Sequence, residues 1–448
     1  MPKIRTVYTC QNCAYQTSNW VGQCPSCKEW NTFIEDVVMD SPKTKTGHRA
    51  GSGSGMSSIT PIKLADVISV PTQRLSTSIA EFDRVLGGGF VPGQVVLLAG
   101  EPGIGKSTLL TEISRSLGDN NLLYIAGEES VEQIKIRAQR MGYDAKNLYM
   151  LAETNVESIV SAIETEVNAE SNIKLVIIDS VQTIYMDEVT GVAGSLTQVR
   201  GGTQILTAVA KRLGIPLVLV GHVTKEGVVA GPKVLEHIVD TVLYLEGDSQ
   251  HMYRLLRTSK NRFGPVSEVG IFEMAEQGMK EITNPSELFL EQRMEGASGS
   301  CVTIVMEGYR PILFEVQALT VKTSFGYPRR TASGFNANRL QVLIATLEKR
   351  AGLNLSGHDV YLNIAGGFKV SEYAADLAVC LAIVSALKDI PIKKRTAVFG
   401  EVGLNGEIRN VTHQSKRIAE AKKLGYTNVI SPDKYRDLVA VVKTALEK

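Results

Sequence analysis

An excess of charge of either sign is missing from this chain. Lysine and arginine total 48 against 47 aspartate and glutamate, leaving a net charge of +1 over 448 residues. Bulk electrostatics therefore offers no argument for a nucleic-acid partner, and any such case rests on local patches. Long hydrophobic runs are missing too. No apolar stretch approaches the roughly 20 residues that a membrane helix needs. The start, Met1-Pro2-Lys3-Ile4-Arg5, has no apolar segment of the secretory kind. A cytoplasmic protein with no membrane partner is the expectation. No short-period repeat is present, which excludes a repeat array. Cysteine is scarce, and four of the six lie within the first 27 residues. In a reducing compartment such clustering suggests metal or redox chemistry over disulfides. Cys301 and Cys380 sit among apolar residues and read as core.

What is present begins with those four thiols. Cys10-x-x-Cys13 and Cys24-x-x-Cys27 form two close pairs joined by a short loop. Four thiolates so spaced suit tetrahedral Zn²⁺. A redox dithiol would be one pair beside a βαβ pattern, not two pairs in a polar segment. A module this small has no core of its own, and structural zinc contributes about 10–16 kcal/mol in finger peptides. Trp20, Trp30 and Phe33 are expected to pack on the metal loop, with stacking on nucleic-acid bases as the other use of such rings.

Ser41–Gly47 and Gly51–Gly55 have linker composition. The chain thus divides into a zinc module (1–36), a flexible linker (37–60), an α/β segment (61–284) and a C-terminal segment (285–448), the last break falling near Asn284-Pro285-Ser286. With an apolar content of 44% there is ample material for cores. The alternation of short apolar runs with helical segments in 61–284 predicts a parallel sheet. Its strands are expected at Val95–Ala99, Leu122–Ala126, Leu175–Asp179, Leu217–Gly221 and Thr241–Glu246. In the C-terminal segment, helices are expected at Ala337–Arg350, Ala374–Lys388 and Gln414–Leu424.

Gly100-Glu101-Pro102-Gly103-Ile104-Gly105-Lys106-Ser107 is an unbroken G-x-x-x-x-G-K-S, followed by Thr108 at the start of a predicted helix. The glycines allow the backbone to curl so that N–H groups point at phosphate oxygens. Lys106 can reach the β/γ-phosphates of ATP, and the Ser107 hydroxyl can ligate Mg²⁺. Leu175–Ile178 ends in Asp179, delivered to the ligand-binding edge of the sheet, where it would hold Mg²⁺. Glu128 follows a predicted strand at that edge and is the candidate base for the attacking water, with Glu129 as the alternate. Gln182 and His222 also follow strands there, and either could sense the terminal phosphate. Met186–Gly202 and Lys225–Glu236 read as mobile glycine-containing loops able to track a nucleic-acid backbone. In Lys260-Asn261-Arg262-Phe263-Gly264, the two cations are two residues apart on extended chain and point the same way. They could reach a neighbouring subunit's γ-phosphate, hold DNA phosphates, or form a solvated turn.

Over essentially its whole length the chain resembles the bacterial RadA (Sms) family of DNA repair and recombination ATPases. The four-cysteine finger, the phosphate loop, Asp179, the Lys260–Gly264 string and the C-terminal segment carry the resemblance. It implies a RecA-like core, Glu128 as the catalytic glutamate, functional roles for Lys260 and Arg262, and hexameric rings on single-stranded DNA. Such rings would act as helicase-like motors on branched DNA, extending intermediates made by the RecA recombinase through branch migration. The C-terminal segment resembles the proteolytic domain of Lon, of the ribosomal S5 type. Ala374 then stands at the nucleophile position, and Ser415 at the lysine position with Lys416 beside it. An alanine methyl cannot attack a carbonyl, so a peptidase, the alternative enzyme class, is disfavoured; a nucleotide-regulated DNA-binding scaffold is the other alternative. Basic clusters at 322–350 (including Arg329, Arg330 and Arg339) and 393–423 (including Lys416 and Arg417) suggest phosphate binding by this domain.

Overall fold

The computed structural model describes residues 3–10, 16–17, 19–23, 25, 28, 30, 33–40, 63, 73–169, 171–222, 232–247, 252–324 and 326–447. The chain forms two compact units, one of residues 1–266 with 272–281, the other of 267–271 with 282–448.

The first unit opens with a three-stranded antiparallel sheet. Strand β1 (Lys3–Cys10) lies between β2 (Gln16–Thr17) and β3 (Phe33–Asp40), with Cys10 opposite Phe33. Cys10 closes β1; Cys13, Cys24 and Cys27 lie outside the described residues, as do the 37–60 linker beyond Asp40 and the side chain of Phe33. The tryptophans are largely open to solvent. Trp20 and Trp30 are 56% and 66% exposed. Their rings flank Gly22, where a Cβ would come within 3.6–3.8 Å of them.

Nine further strands make one sheet: β4 (Val95–Gly100), β5 (Leu122–Ala126), β6 (Leu148–Leu151), β7 (Leu175–Asp179), β8 (Leu217–His222), β9 (Thr241–Glu246), β10 (Tyr253–Asn261), β11 (Val269–Ala275) and β12 (Gly278–Glu281). Their order is β12-β11-β10-β9-β4-β8-β7-β5-β6. From β9 to β6 all neighbours run parallel, and β10 turns back antiparallel to β9. The five predicted strands are all present. They read as unbroken apolar runs because both faces are covered. Val96, Leu98, Tyr124 and Ile177 pack on one side with Phe82, Leu109 and Ile113. Val95, Leu97, Ile125 and Ile178 pack on the other with Val199, Leu206 and Val209.

Five helices of this unit complete the frame of the site: α1 (Ala80–Leu86), α2 (Lys106–Ser116), α3 (Val131–Arg140), α4 (Val156–Asn168) and α5 (Leu196–Leu213). A short helix, α6 (Pro232–Leu235), follows. Helix α3 starts at a capping box, Ser130 with Gln133, which satisfies two N-terminal donors.

The second unit holds α7 (Pro285–Leu290) and a six-stranded sheet of β13 (Ser300–Glu307), β14 (Arg310–Lys322), β15 (Arg330–Ser333), β16 (His358–Ile364), β17 (Thr396–Val398) and, after the small β18/β19 ribbon (Glu401–Val402, Ile408–Arg409), β20 (Asn428–Ile430), ordered β15-β16-β14-β13-β17-β20. Helices α8 (Ala337–Ala351), α9 (Asp376–Lys388), α10 (Gln414–Lys423) and α11 (Leu438–Ala445) accompany it. Helix α9 is apolar nearly all round, and its residues from Asp376 to Ser385 are all buried. A helix of that composition belongs in a core. Among the described residues of both units, no helix is long and apolar enough to cross a membrane.

Candidate nucleotide site

The register of the parallel strands builds the site. Leu97, Leu219, Ile178 and Ile125 sit side by side across β4, β8, β7 and β5. Asp179 is one residue beyond that row; Gly100, His222 and Glu128 are three beyond. All therefore emerge at one carboxyl edge, where parallel α/β sheets bind ligands.

The loop from Gly100 to Gly105 leaves β4 and enters α2. Gly105 is left-handed (φ 112°) at the helix N-cap, and a Cβ there would lie 2.5 Å from Met274 Cε and 2.8 Å from Met279 Cε. The left-handed backbone is what favours glycine here, since the two methionine methyls lie at the ends of flexible side chains. Arg254 of β10 donates from Nε to the Ile104 carbonyl at 3.0 Å, bracing the turn of the loop. Thr108 lies in the first turn of α2, whose positive end faces the loop.

Lys106 is 4% exposed. Its Nζ donates to the carbonyls of Gly100 and Glu101, each at 3.0 Å, and lies 3.1 Å from His222 Nδ1. Burial lowers its pKa, against the pull of the Asp179 and Glu128 carboxylates. His222 Nε2 is 2.8 Å from Glu128 Oε2. One imidazole thus joins the phosphate-loop lysine to the candidate base. Glu129 pairs with Arg137 of α3, which separates the two adjacent acids: Glu128 faces the site and Glu129 is engaged behind it.

Asp179 is 5% exposed. Its Oδ2 accepts from Ser107 Oγ at 2.9 Å and from Tyr124 Oη at 2.7 Å. Burial raises its pKa, opposed by these two hydrogen bonds. A hydroxyl and a carboxylate in contact form a hard oxygen donor set of the kind Mg²⁺ takes. The ligand atoms of Glu128, Asp179 and His222 lie within 4.8 Å of one another. Gln182 reaches the same edge, its Nε2 3.5 Å from the His222 carbonyl.

Lys260 and Arg262 are not brought to this site. Lys260 pairs with Val242, at the start of β9, whereas Gly100 pairs with Leu245 three residues further on, about 10 Å along the strand. Both cations bind the segment before β9. Lys260 Nζ donates to the Val239 carbonyl at 2.8 Å and, at the same end, to the Glu236 carbonyl. Arg262 Nη1 donates to Asp240 Oδ1 at 3.0 Å. Asp240 is 1% exposed and also accepts from Lys211 and from the Val95 N–H. Asn261 and Gly264 tie the string to the end of α1. Asn261 donates to the Leu86 carbonyl at 3.1 Å, and a Cβ on Gly264 would lie 3.1 Å from Gly87 Cα.

The loops need correction. Helix α5 begins at Leu196, so Arg200, Gly201 and Gly202 are helical. A Cβ on Gly201 would lie 2.4 Å from Met186 Cε, and one on Gly202 2.9 Å from Ile184 Cδ1. These glycines admit close packing and are not hinges. Gln198, 2% exposed, accepts from the Met186 N–H at 2.8 Å and donates to the carbonyls of Met186, Val189 and Gly191. Of the second loop, residues 225–231 lie outside the described residues.

In the second unit the nucleophile position is closed. Ala374 is fully buried. Glu372 pairs with the fully buried Arg417, and Asp376 pairs with Arg339. Arg417 and Arg339 therefore leave the basic clusters: one lies inside the fold and the other holds a buried carboxylate. Lys322, Arg329, Lys393 and Lys394 remain exposed. Lys416 lies 4.8 Å from the Tyr309 ring centroid.

Sequence reasoning missed Tyr124, Arg137 and Asp240. A tyrosine within an aliphatic strand, LLYIA, was the available signal for the first; the other two act through tertiary contacts.

Residues 75–286 match the KaiC ATPase family, residues 8–35 the rubredoxin metal binding domain, and residues 330–435 the ChlI subunit of Mg-chelatase. The first match implies ATP with Mg²⁺ and the second Zn²⁺. The chain is 48% identical over 434 residues to the DNA repair protein RadA of Bacillus subtilis, covering 96% of this chain and 93% of that protein. It is 49% identical over 435 residues to RadA of Streptococcus pyogenes serotype M1, with coverage of 96% and 93%. For RadA of Listeria monocytogenes the identity is 47% over 432 residues, with coverage of 96% and 92%. A KaiC-like protein of Pyrococcus horikoshii, 21% identical, covers 47% of this chain and 100% of that chain at a TM-score of 0.40.

Proposed function

Because the chain belongs to the RadA family of DNA repair proteins, we propose that it is a DNA-stimulated ATP hydrolase working as a hexameric, helicase-like ring on single-stranded DNA. In this reading it drives branch migration and extends strand-exchange intermediates made by RecA. One observation carries it: Lys106, Ser107, Glu128 and Asp179 converge at one sheet edge, while Lys260 and Arg262 sit at the other end of β9. Cations so placed do not serve their own nucleotide and suit a neighbour's γ-phosphate, as the heterologous contacts of a ring allow.

The backbone of Gly100–Thr108 cradles the phosphates. Lys106 exchanges its two carbonyl partners for phosphate oxygens. Ser107 and Asp179 would hold Mg²⁺, which supplies charge neutralisation on those oxygens. Glu128 orients the attacking water and takes its proton, and His222 steadies the Glu128 carboxylate. Cys10, Cys13, Cys24 and Cys27 would hold Zn²⁺ and so stabilise the small N-terminal module. Trp20 and Trp30, both exposed, are available to stack on bases. The exposed lysines and arginines of the second unit offer phosphate contacts weakened by salt. The buried Ala374 supports a non-peptidase domain.

The test is ATP turnover with and without single-stranded DNA. Lys106→Ala is expected to lower turnover roughly 100-fold or more, the scale of removing one group that stabilises transition-state charge. Undiminished hydrolysis and branch migration by that variant would sink the assignment.

A further inference from the structure

Tyr124 is an anomaly in its strand. It lies on β5, 1% exposed, among Leu98, Leu109 and Ile177. A hydroxyl in such surroundings is costly unless hydrogen-bonded. The strand register explains where it goes. Tyr124 is directly opposite Ile177, and Asp179, two residues on, points to the same face. Ala126, opposite Asp179, has only a methyl group. The Tyr124 hydroxyl donates to Asp179 Oδ2 at 2.7 Å, the same oxygen that accepts from Ser107 at 2.9 Å. Two hydroxyls from two elements, strand β5 and the start of α2, thus converge on one carboxylate oxygen.

Mg²⁺ demands near-ideal octahedral geometry, and groups that orient its ligands tune its affinity. We propose that Tyr124 is a positioning residue for the divalent cation: its hydroxyl fixes the Asp179 carboxylate in the orientation in which Asp179 and Ser107 jointly accept the metal. The proposal rests on the reading of Asp179 as a magnesium-holding residue.

Tyr124→Phe removes one oxygen and keeps the ring that packs in the core. The probe is Mn²⁺ with ADP on the full chain, followed by electron paramagnetic resonance, which reads metal binding apart from turnover. Tyr124→Phe is expected to weaken Mn²⁺ binding about tenfold, the low end for a group that orients a metal ligand. Binding of ADP in EDTA stays unchanged. In an Asp179→Asn background, adding Tyr124→Phe weakens Mn²⁺ binding no further, because the carboxylate through which Tyr124 acts is gone. Wild-type Mn²⁺ affinity in Tyr124→Phe overturns the proposal. So does an equal loss of ADP affinity in EDTA, which would mark the tyrosine as general support for the phosphate loop. If Asp179→Asn itself retains wild-type Mn²⁺ affinity, the magnesium role of Asp179 fails, and the proposal fails with it.

Discussion

Lys106 illustrates how single residues are set by their neighbours. Its ammonium group is nearly buried, which lowers its pKa, yet two carbonyls and two nearby carboxylates keep it anchored at the phosphate edge. The free cysteines show the opposite case. Cys301 is fully buried, and burial pushes its thiol up to about 12; Cys380 is shifted the same way by the same cause. A thiol pKa raised this far leaves almost no thiolate at pH 8, and thiolate is the nucleophile. Iodoacetamide at pH 8 is therefore expected to leave Cys301 and Cys380 unmodified in the native protein and to modify both in denaturant, as read by peptide mass spectrometry. Rapid native labelling of Cys301 would contradict its burial.

Among the elements, the segment between β7 and α5 departs most from expectation. Four glycines and an arginine suggested a mobile loop, but the helix starts earlier, and the side chain of Gln198 makes four hydrogen bonds to the backbone of Met186–Gly191. Replacing it by leucine of similar size would strand buried N–H and C=O groups. Gln198→Leu is expected to destabilise the first unit by about 1–3 kcal/mol, the usual cost of leaving buried polar groups unpaired. It should also speed amide hydrogen exchange across Met186–Gly191. Unchanged exchange there would show that the loop holds its shape without Gln198.

At the scale of the whole molecule, the decisive relation is between the two ends of β9. The phosphate loop lies at one, Lys260 and Arg262 at the other, and the proposed ring brings one subunit's cations to its neighbour's nucleotide. Arg262→Ala and Lys106→Ala are each expected to be nearly inactive alone. Mixed at equal amounts in one ring, about a quarter of the heterologous interfaces would pair an intact phosphate loop with an intact Arg262. ATP turnover of the mixture should recover accordingly. A mixture as inactive as its components would mean that Arg262 works within its own chain or not on ATP.

Much of this was legible from the sequence because it depends on local pattern. Unbroken apolar runs mark strands covered on both faces, and a glycine-rich turn before Lys106 and Ser107 marks a phosphate loop wherever a strand feeds it. The same locality made Asp179, the last residue of its strand, and Glu128, two residues past the end of its own, stand out as candidates. What the sequence could not carry were relations across distant segments. The Tyr124–Asp179 bond depends on which strands are neighbours and in what register. The different surroundings of Glu128 and Glu129 depend on Arg137 reaching back from α3 to pair with Glu129. The basic clusters of the second unit counted Arg417, which the fold buries beside Glu372, and Arg339, which it commits to the buried Asp376. By itself, the sequence determined the elements and the chemistry they carry, since propensity and turn geometry act over a few residues. Only the tertiary structure decided which side chains meet, because a contact depends on the packing of segments far apart in the chain.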